Sequence, residues 1–257
     1  MAASFKQGLK DYYPEAQIVG EDYHKLFLTD FAPYLTKIGA SGAEVVYTGD
    51  WVPDSVTLLK QMRQMGIKLP VANLFMNEPN GLIEVGVEGT KGLVHIDVYD
   101  MPYPFKHYPP FIKFYNTWVK QWKTWTTLPY KSSLFEIGAT TSIALYGQTG
   151  YWLFSVIERA GSTDPEKIIK VWEGDTYRYA NGSIVKMRAC DHRSIQDFSV
   201  TEFVPPEQQK VSMTIPPYSW YKGCSFTGPA WLIPAGKILP YMDQQLDRCK
   251  GKSDWGE

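Results

Sequence analysis

Charge of one sign is what this sequence lacks first: 26 Lys and Arg face 27 Asp and Glu, a formal net charge of −1. With a pI of about 6.4 there is no basic excess to neutralise phosphates, so nucleic acid is not an expected partner and nothing holds the chain to a membrane by charge. Cysteine is scarce. Cys190, Cys224 and Cys249 are an odd number at spacings that match no zinc pattern, so no metal site is expected. The amino terminus, MAASFKQGLKDYYPEA, has no apolar core of the kind an export signal or membrane span needs, and direct membrane insertion is not expected. No G-x-S-x-G, phosphate-binding loop, H-E-x-x-H or paired-cysteine motif occurs, so the chain reads as a non-enzyme without a cofactor.

Apolar and aromatic residues are plentiful. At 44% hydrophobic and 21% charged, a chain of 257 residues can bury one large core or two small ones. Aromatics reach 15%, which suits stacking pockets, although any single one is by default core.

The stretch from Asp30 to Gly92 organises the rest. Phe31, Tyr34, Leu35 and Ile38 recur at helical spacing, with Gly39 and Gly42 at the end of the helix. Ala43–Thr48 reads as a buried parallel strand, covered on both faces. Pro53 sits where a helix can start, Val56, Leu59 and Met62 line one face of it, and Gly66 closes it. Leu69–Phe75 is a second buried strand. Strand, helix, strand with short links predicts an α/β fold built on a parallel sheet, whose ligands lie beyond the carboxyl ends of the strands. Those ends are Gly49-Asp50-Trp51 and Phe75-Met76-Asn77.

Ala2–Tyr13 is a helix stopped by Pro14, Ala16–Gly20 a short strand, and Glu21–Thr29 a loop whose His24 is given no role. Glu78–Gly92 holds breaks and a weak helical turn, Leu93–Tyr99 a strand, and Met101–Pro110 a proline-rich loop. Phe111, Ile112, Tyr115, Trp118, Val119 and Trp122 form a deeply packed helix; the weaker alternative is a membrane-surface helix with Lys113, Lys120 and Lys123 opposite. Leu128–Ser133 is a polar link, and Leu134–Ala160 is helical, broken near Gly147 or Gly150. Asp164 caps a helix with Pro165 in its first position. Thr176–Ala180 and Ser183–Arg188 flank a two-residue turn at Asn181-Gly182. Cys190 and His192 are read as structural, not as a nucleophile and base. From Pro205 onward the prolines argue against regular structure, and the tail is expected to be extended. A disulfide between Cys224 and Cys249 is favoured there, against three unrelated thiols.

The motif D-F-x-P-x-x-x-K-I-x-A-S-G-A-E-V-V, then G-D-W-x-P-D and L-L-K-Q-M-R-Q-M-G-I, resembles the solute-binding proteins of branched-chain amino-acid type ABC transporters. The resemblance runs from about Phe5 to about Val204. It implies the type I periplasmic-binding-protein fold, α/β, with two parallel-sheet lobes, a ligand cleft and an incomplete first lobe. Residues 1–126 would form the second-lobe region, 127–188 the helices and hairpin returning to the first lobe, 189–204 the crossover, and 205–257 the tail. The chain thus reads as the carboxyl-terminal part of a longer protein. Its first strand would be absent between Ala16–Gly20 and Ala43–Thr48, leaving open strand edges and an unstable isolated chain.

The function so implied is the extracytoplasmic solute-binding component of an ABC importer, in the periplasm, closing on a small solute and presenting it to a membrane permease. A ligand-sensing receptor or regulator of the same fold is the alternative. The resemblance carries ligand contacts onto Asp50 and Trp51 in the first strand-end loop and onto Phe75 and Asn77 in the second. Gln148 and Tyr151 are weaker candidates, better explained by core packing. No acidic partner for an α-ammonium is clearly in place, since Glu78 lies further along. Trp51 and Phe75 therefore suit an apolar or aromatic carboxylate at least as well as an amino acid.

Overall fold

The computed structural model describes residues 2–51, 53–76, 79–97, 108–122, 124, 142–180, 182–208, 223, 225–237 and 248–250. Helix α1 spans Ala2–Tyr12 and α2 Ala32–Ala40; then β1 (Val46–Thr48), α3 (Asp54–Gln64), β2 (Val71–Asn73), α4 (Pro79–Thr90) and β3 (Leu93–Asp97) alternate. The three strands are parallel, with Val46 opposite Val71 and Val71 opposite Leu93. Parallel pairing follows from α3 and α4, each of which carries the chain back to the end where the previous strand began. The helical spacing holds: α3 buries Val56, Leu59 and Met62 and packs against α4 and α2, while Phe31 and Leu35 are buried at α2. Arg63, at the end of α3, donates to the carbonyls of Gly89, Ile67 and Leu69, which fixes the turn into β2 against the end of α4.

Contacts divide the chain into two compact units, residues 1–96 with 201–229, and residues 97–200 with 230–257. The second contains α5 (Pro110–Trp122), α6 (Ser142–Ala160), α7 (Pro165–Trp172) and an antiparallel sheet of β4 (Thr176–Arg178), β5 (Ile184–Met187) and β6 (Ser194–Gln196). Its core gathers Trp152, Val156, Tyr179 and Val185, with Ile168 and Trp172 packed on them. The Trp152 indole N–H donates to Asp175 Oδ2 at 2.7 Å, and Arg159 pairs with the same carboxylate. Burial pushes the Asp175 carboxyl up, but these two donors outweigh it and hold the group below its ordinary range. Asp164 caps α7 as expected, accepting from the Lys167 amide at 3.1 Å. Strands β7 (Phe198–Val204) and β8 (Phe226–Ile233) complete a five-stranded sheet of order β1-β2-β3-β7-β8.

Several expectations are corrected. Residues 16–20 form no strand: Ile18 and Val19 are about half exposed, and an extended segment becomes a strand only when another pairs with it. Strand β1 is an edge of the sheet, half-buried and not covered on both faces, with Val45 56% exposed beside it. Residues 79–90 are helical beyond a single turn, interrupted at Gly86, whose φ of 82° is open to glycine. Helix α6 runs through Gly147 and Gly150 without a break because packing around Trp152 outweighs the glycine cost. The turn between β4 and β5 is longer than two residues, since Tyr179 N–H still donates to the Ser183 carbonyl. The region after Pro205 is not devoid of regular structure. Pro229 lies within β8, and β8 is an edge strand, where a missing N–H need not break a ladder. The expected link 128–133, residues 134–141, and nearly all of loop 101–110 lie outside the described residues.

Candidate functional site

The carboxyl ends of β1 and β2 lie side by side because the strands are parallel and in register, Thr48 opposite Asn73. Asn73 is the joint between the two loops that follow. Its amide donates to the Asp50 carbonyl at 3.1 Å and accepts from the Phe75 amide N–H. Being only 3% exposed, this side chain holds both loops from beneath. Met76 is buried and anchors the second loop, while the Trp51 carbonyl accepts from the Ser55 amide as α3 begins. Above this base, Trp51 is 72% and Phe75 42% exposed, with ring centroids 6.3 Å apart and planes tilted by 36°. Two large aromatic side chains left in water on adjacent rigid strand ends form a platform for a flat or apolar solute.

The loop before α2 reaches the first strand-end loop and the start of α3. His24 Nε2 meets Asp50 Oδ1 at 2.9 Å and Nδ1 meets the Lys25 carbonyl at 2.8 Å. The ring packs edge-on against Phe31 at 4.9 Å. Burial lowers the His24 pKa, but the hydrogen bonds to Lys25 and Asp50 and the charges of Asp50 and Asp54 raise it further, leaving it above the ordinary value. Nearby, the Phe27 amide donates to Asp54 Oδ2 at 2.9 Å, with Phe27 at a φ of 59°. His24 and Asn73 were both missed from sequence. Asn73 had a signal, a polar residue closing the apolar run Leu69–Ala72; His24 had none, because its partner is 26 residues away.

Asp50, Trp51 and Phe75 are thus brought together, and Asn77 lies outside the described residues. Gln148 and Tyr151 belong to the other compact unit, on α6. Gln148 is 7% exposed, its carbonyl accepting from the Ala180 amide, whereas Tyr151 is 66% exposed. A cation site at Cys190, Asp191 and Cys249 does not fit: both sulfurs are joined in a disulfide, and the Arg188 guanidinium lies within 3.2 Å of Asp191 Oδ1. This disulfide replaces the expected Cys224–Cys249 pair. Proximity decides pairing, and the Cα atoms of Cys190 and Cys249 are 5.1 Å apart. His192 instead meets Glu173 Oε1 at 2.7 Å.

The model of the family described as periplasmic binding protein matches residues 1–209. The chain belongs to that family. The alternating strands and helices are those of the type I periplasmic-binding-protein fold. The chain is 31% identical over 71 residues to the Leu/Ile/Val-binding protein homolog 4 of Brucella abortus, 27% of this chain and 17% of that protein. Among solved structures it is similar to a leucine-, isoleucine-, valine-, threonine- and alanine-binding protein from Brucella ovis, with a TM-score of 0.67 and 18% identity over 93% of this chain and 56% of that one. It is also similar to a solute-binding protein of an ABC transporter from Rhodopseudomonas palustris solved with p-hydroxybenzoic acid, with a TM-score of 0.62 and 17% identity over 99% of this chain and 58% of that one. The chain spans a little over half the length of these solved proteins.

Proposed function

We propose that this chain is the solute-binding component of an ABC importer, working in the periplasm with a membrane permease, and that its solute is a small amino-acid-like or aromatic carboxylate seated on Trp51 and Phe75. The observation that carries this reading is the exposed aromatic pair on adjacent strand ends, held from beneath by Asn73. A protein gains nothing in stability from leaving a tryptophan 72% in water, and such anchors are common where binding energy is concentrated. Family membership supports the transport role, and the two solved relatives are named for an amino-acid solute and for an aromatic acid. The Cys190–Cys249 disulfide supports an oxidising compartment, as the periplasm is.

Calorimetric titration of the 257-residue chain with L-leucine, L-phenylalanine and 4-hydroxybenzoate tests the proposal. At least one should bind, and Trp51→Ala should weaken it by about 2 kcal/mol, roughly thirty-fold, without lowering the melting temperature. Binding that is indifferent to Trp51→Ala removes this residue from the site.

A further inference from the structure

The two hydrogen bonds of His24 have a chemical consequence for Asp50. Nδ1 faces the Lys25 carbonyl and Nε2 faces the Asp50 carboxylate, and both partners can only accept. A neutral imidazole has one N–H, so satisfying both contacts requires the doubly protonated ring. The ring is also caged: Phe31 and Tyr34 flank it from the start of α2, at 4.9 and 6.0 Å between centroids. The charged groups facing it are Asp50 at the end of β1, Asp54 at the start of α3 and its neighbour Lys25.

We propose that His24 is a specificity residue: as an imidazolium it neutralises Asp50, so that the platform of Trp51 and Phe75 selects aromatic carboxylates lacking an α-ammonium over amino acids. The inference rests on the solute-binding reading of that platform. Asp50 is the only acidic residue within 49–51 and 73–76, the two strand-end loops as described. An α-ammonium brought to Trp51 needs an uncompensated carboxylate to replace its hydration, and here Oδ1 is already bonded to the His24 ring. A solute carboxylate meets a neutral pair and is not repelled. Loss of the ring charge reverses both effects, because a free Asp50 attracts ammonium and repels carboxylate.

The probes are L-phenylalanine and 3-phenylpropionate, which share ring and carboxylate and differ by the α-ammonium. For the wild-type 257-residue chain, calorimetry should show 3-phenylpropionate bound at least about ten-fold more tightly. His24→Gln should move that ratio about ten-fold or more toward L-phenylalanine. Adding Asp50→Asn to His24→Gln should undo the change, because the liberated carboxylate is gone. A wild type that prefers L-phenylalanine, or a ratio that His24→Gln does not move, overturns the proposal. A second measurement needs no ligand: long-range proton–nitrogen spectra should show both His24 ring nitrogens protonated near neutral pH, and Asp50→Asn should lower the pKa of the ring. A neutral His24 in the wild type overturns the inference whatever binds. A charged His24 in a chain that binds neither probe at millimolar concentration overturns the specificity, and if L-leucine and 4-hydroxybenzoate also fail to bind, the solute-binding reading ends with it.

Discussion

Removing the Cys190–Cys249 disulfide should destabilise the second unit by an amount that follows from its loop. The bond joins residues 59 apart in sequence, and both lie in that unit. Opening a loop of this length returns about 14 cal/mol/K of conformational entropy to the unfolded chain, about 4 kcal/mol at room temperature. Cys249 is only 5% exposed, so the suitable variant is Cys190→Ala with Cys249→Ala, which leaves neither an orphan thiol nor a buried hydroxyl. With a slope of about 3 kcal/mol/M, the urea midpoint of this unit should fall by about 1.3 M, followed by circular dichroism. Reducing agent should lower the wild-type midpoint in the same direction and leave the variant unmoved. The bond itself is checked by the linked peptide pair in a non-reducing digest. A variant and oxidised wild type with coincident midpoints would refute the loop-entropy argument, and absence of the linked pair would refute the bond.

Three more outcomes are expected. The His24 pKa is raised in the folded chain, so its stabilisation is fully present below the ordinary histidine value and is lost as pH rises through the folded value; His24→Gln should therefore cost more melting temperature near pH 5.5 than near pH 9. Asp164→Ala should destabilise α7 by about 1 kcal/mol, read as faster amide exchange at Lys167, whose N–H loses its acceptor. Gly228→Ala places a Cβ 2.7 Å from both Val204 methyl carbons and 2.9 Å from the Glu202 carbonyl oxygen, so β7 and β8 must move apart and stability should fall by about 1–3 kcal/mol in chemical denaturation.

The sequence by itself determined the parts of this protein whose causes are local. The spacing of Val56, Leu59 and Met62 marks a helix face without reference to anything beyond that helix, and Asp164-Pro165 marks a helix start within one turn. Short links around α3 then left a parallel pair as the favoured arrangement for β1 and β2, and with it the placement of Trp51 and Phe75 at neighbouring strand ends. Only the tertiary structure decided which distant groups meet. Ile18 and Val19 have the composition of a strand, yet a strand requires a partner, and residues 16–20 pair with none among the described residues. Pro229 argues against a strand, yet at the sheet edge its missing N–H can be tolerated, and β8 forms. The disulfide chose Cys190 over Cys224 for Cys249, and His24 found Asp50 across 26 residues. Periodicity and capping act over a few residues, so one sequence window contains both cause and effect; pairing, crosslinking and charge neutralisation depend on distances that exist only once the chain has folded.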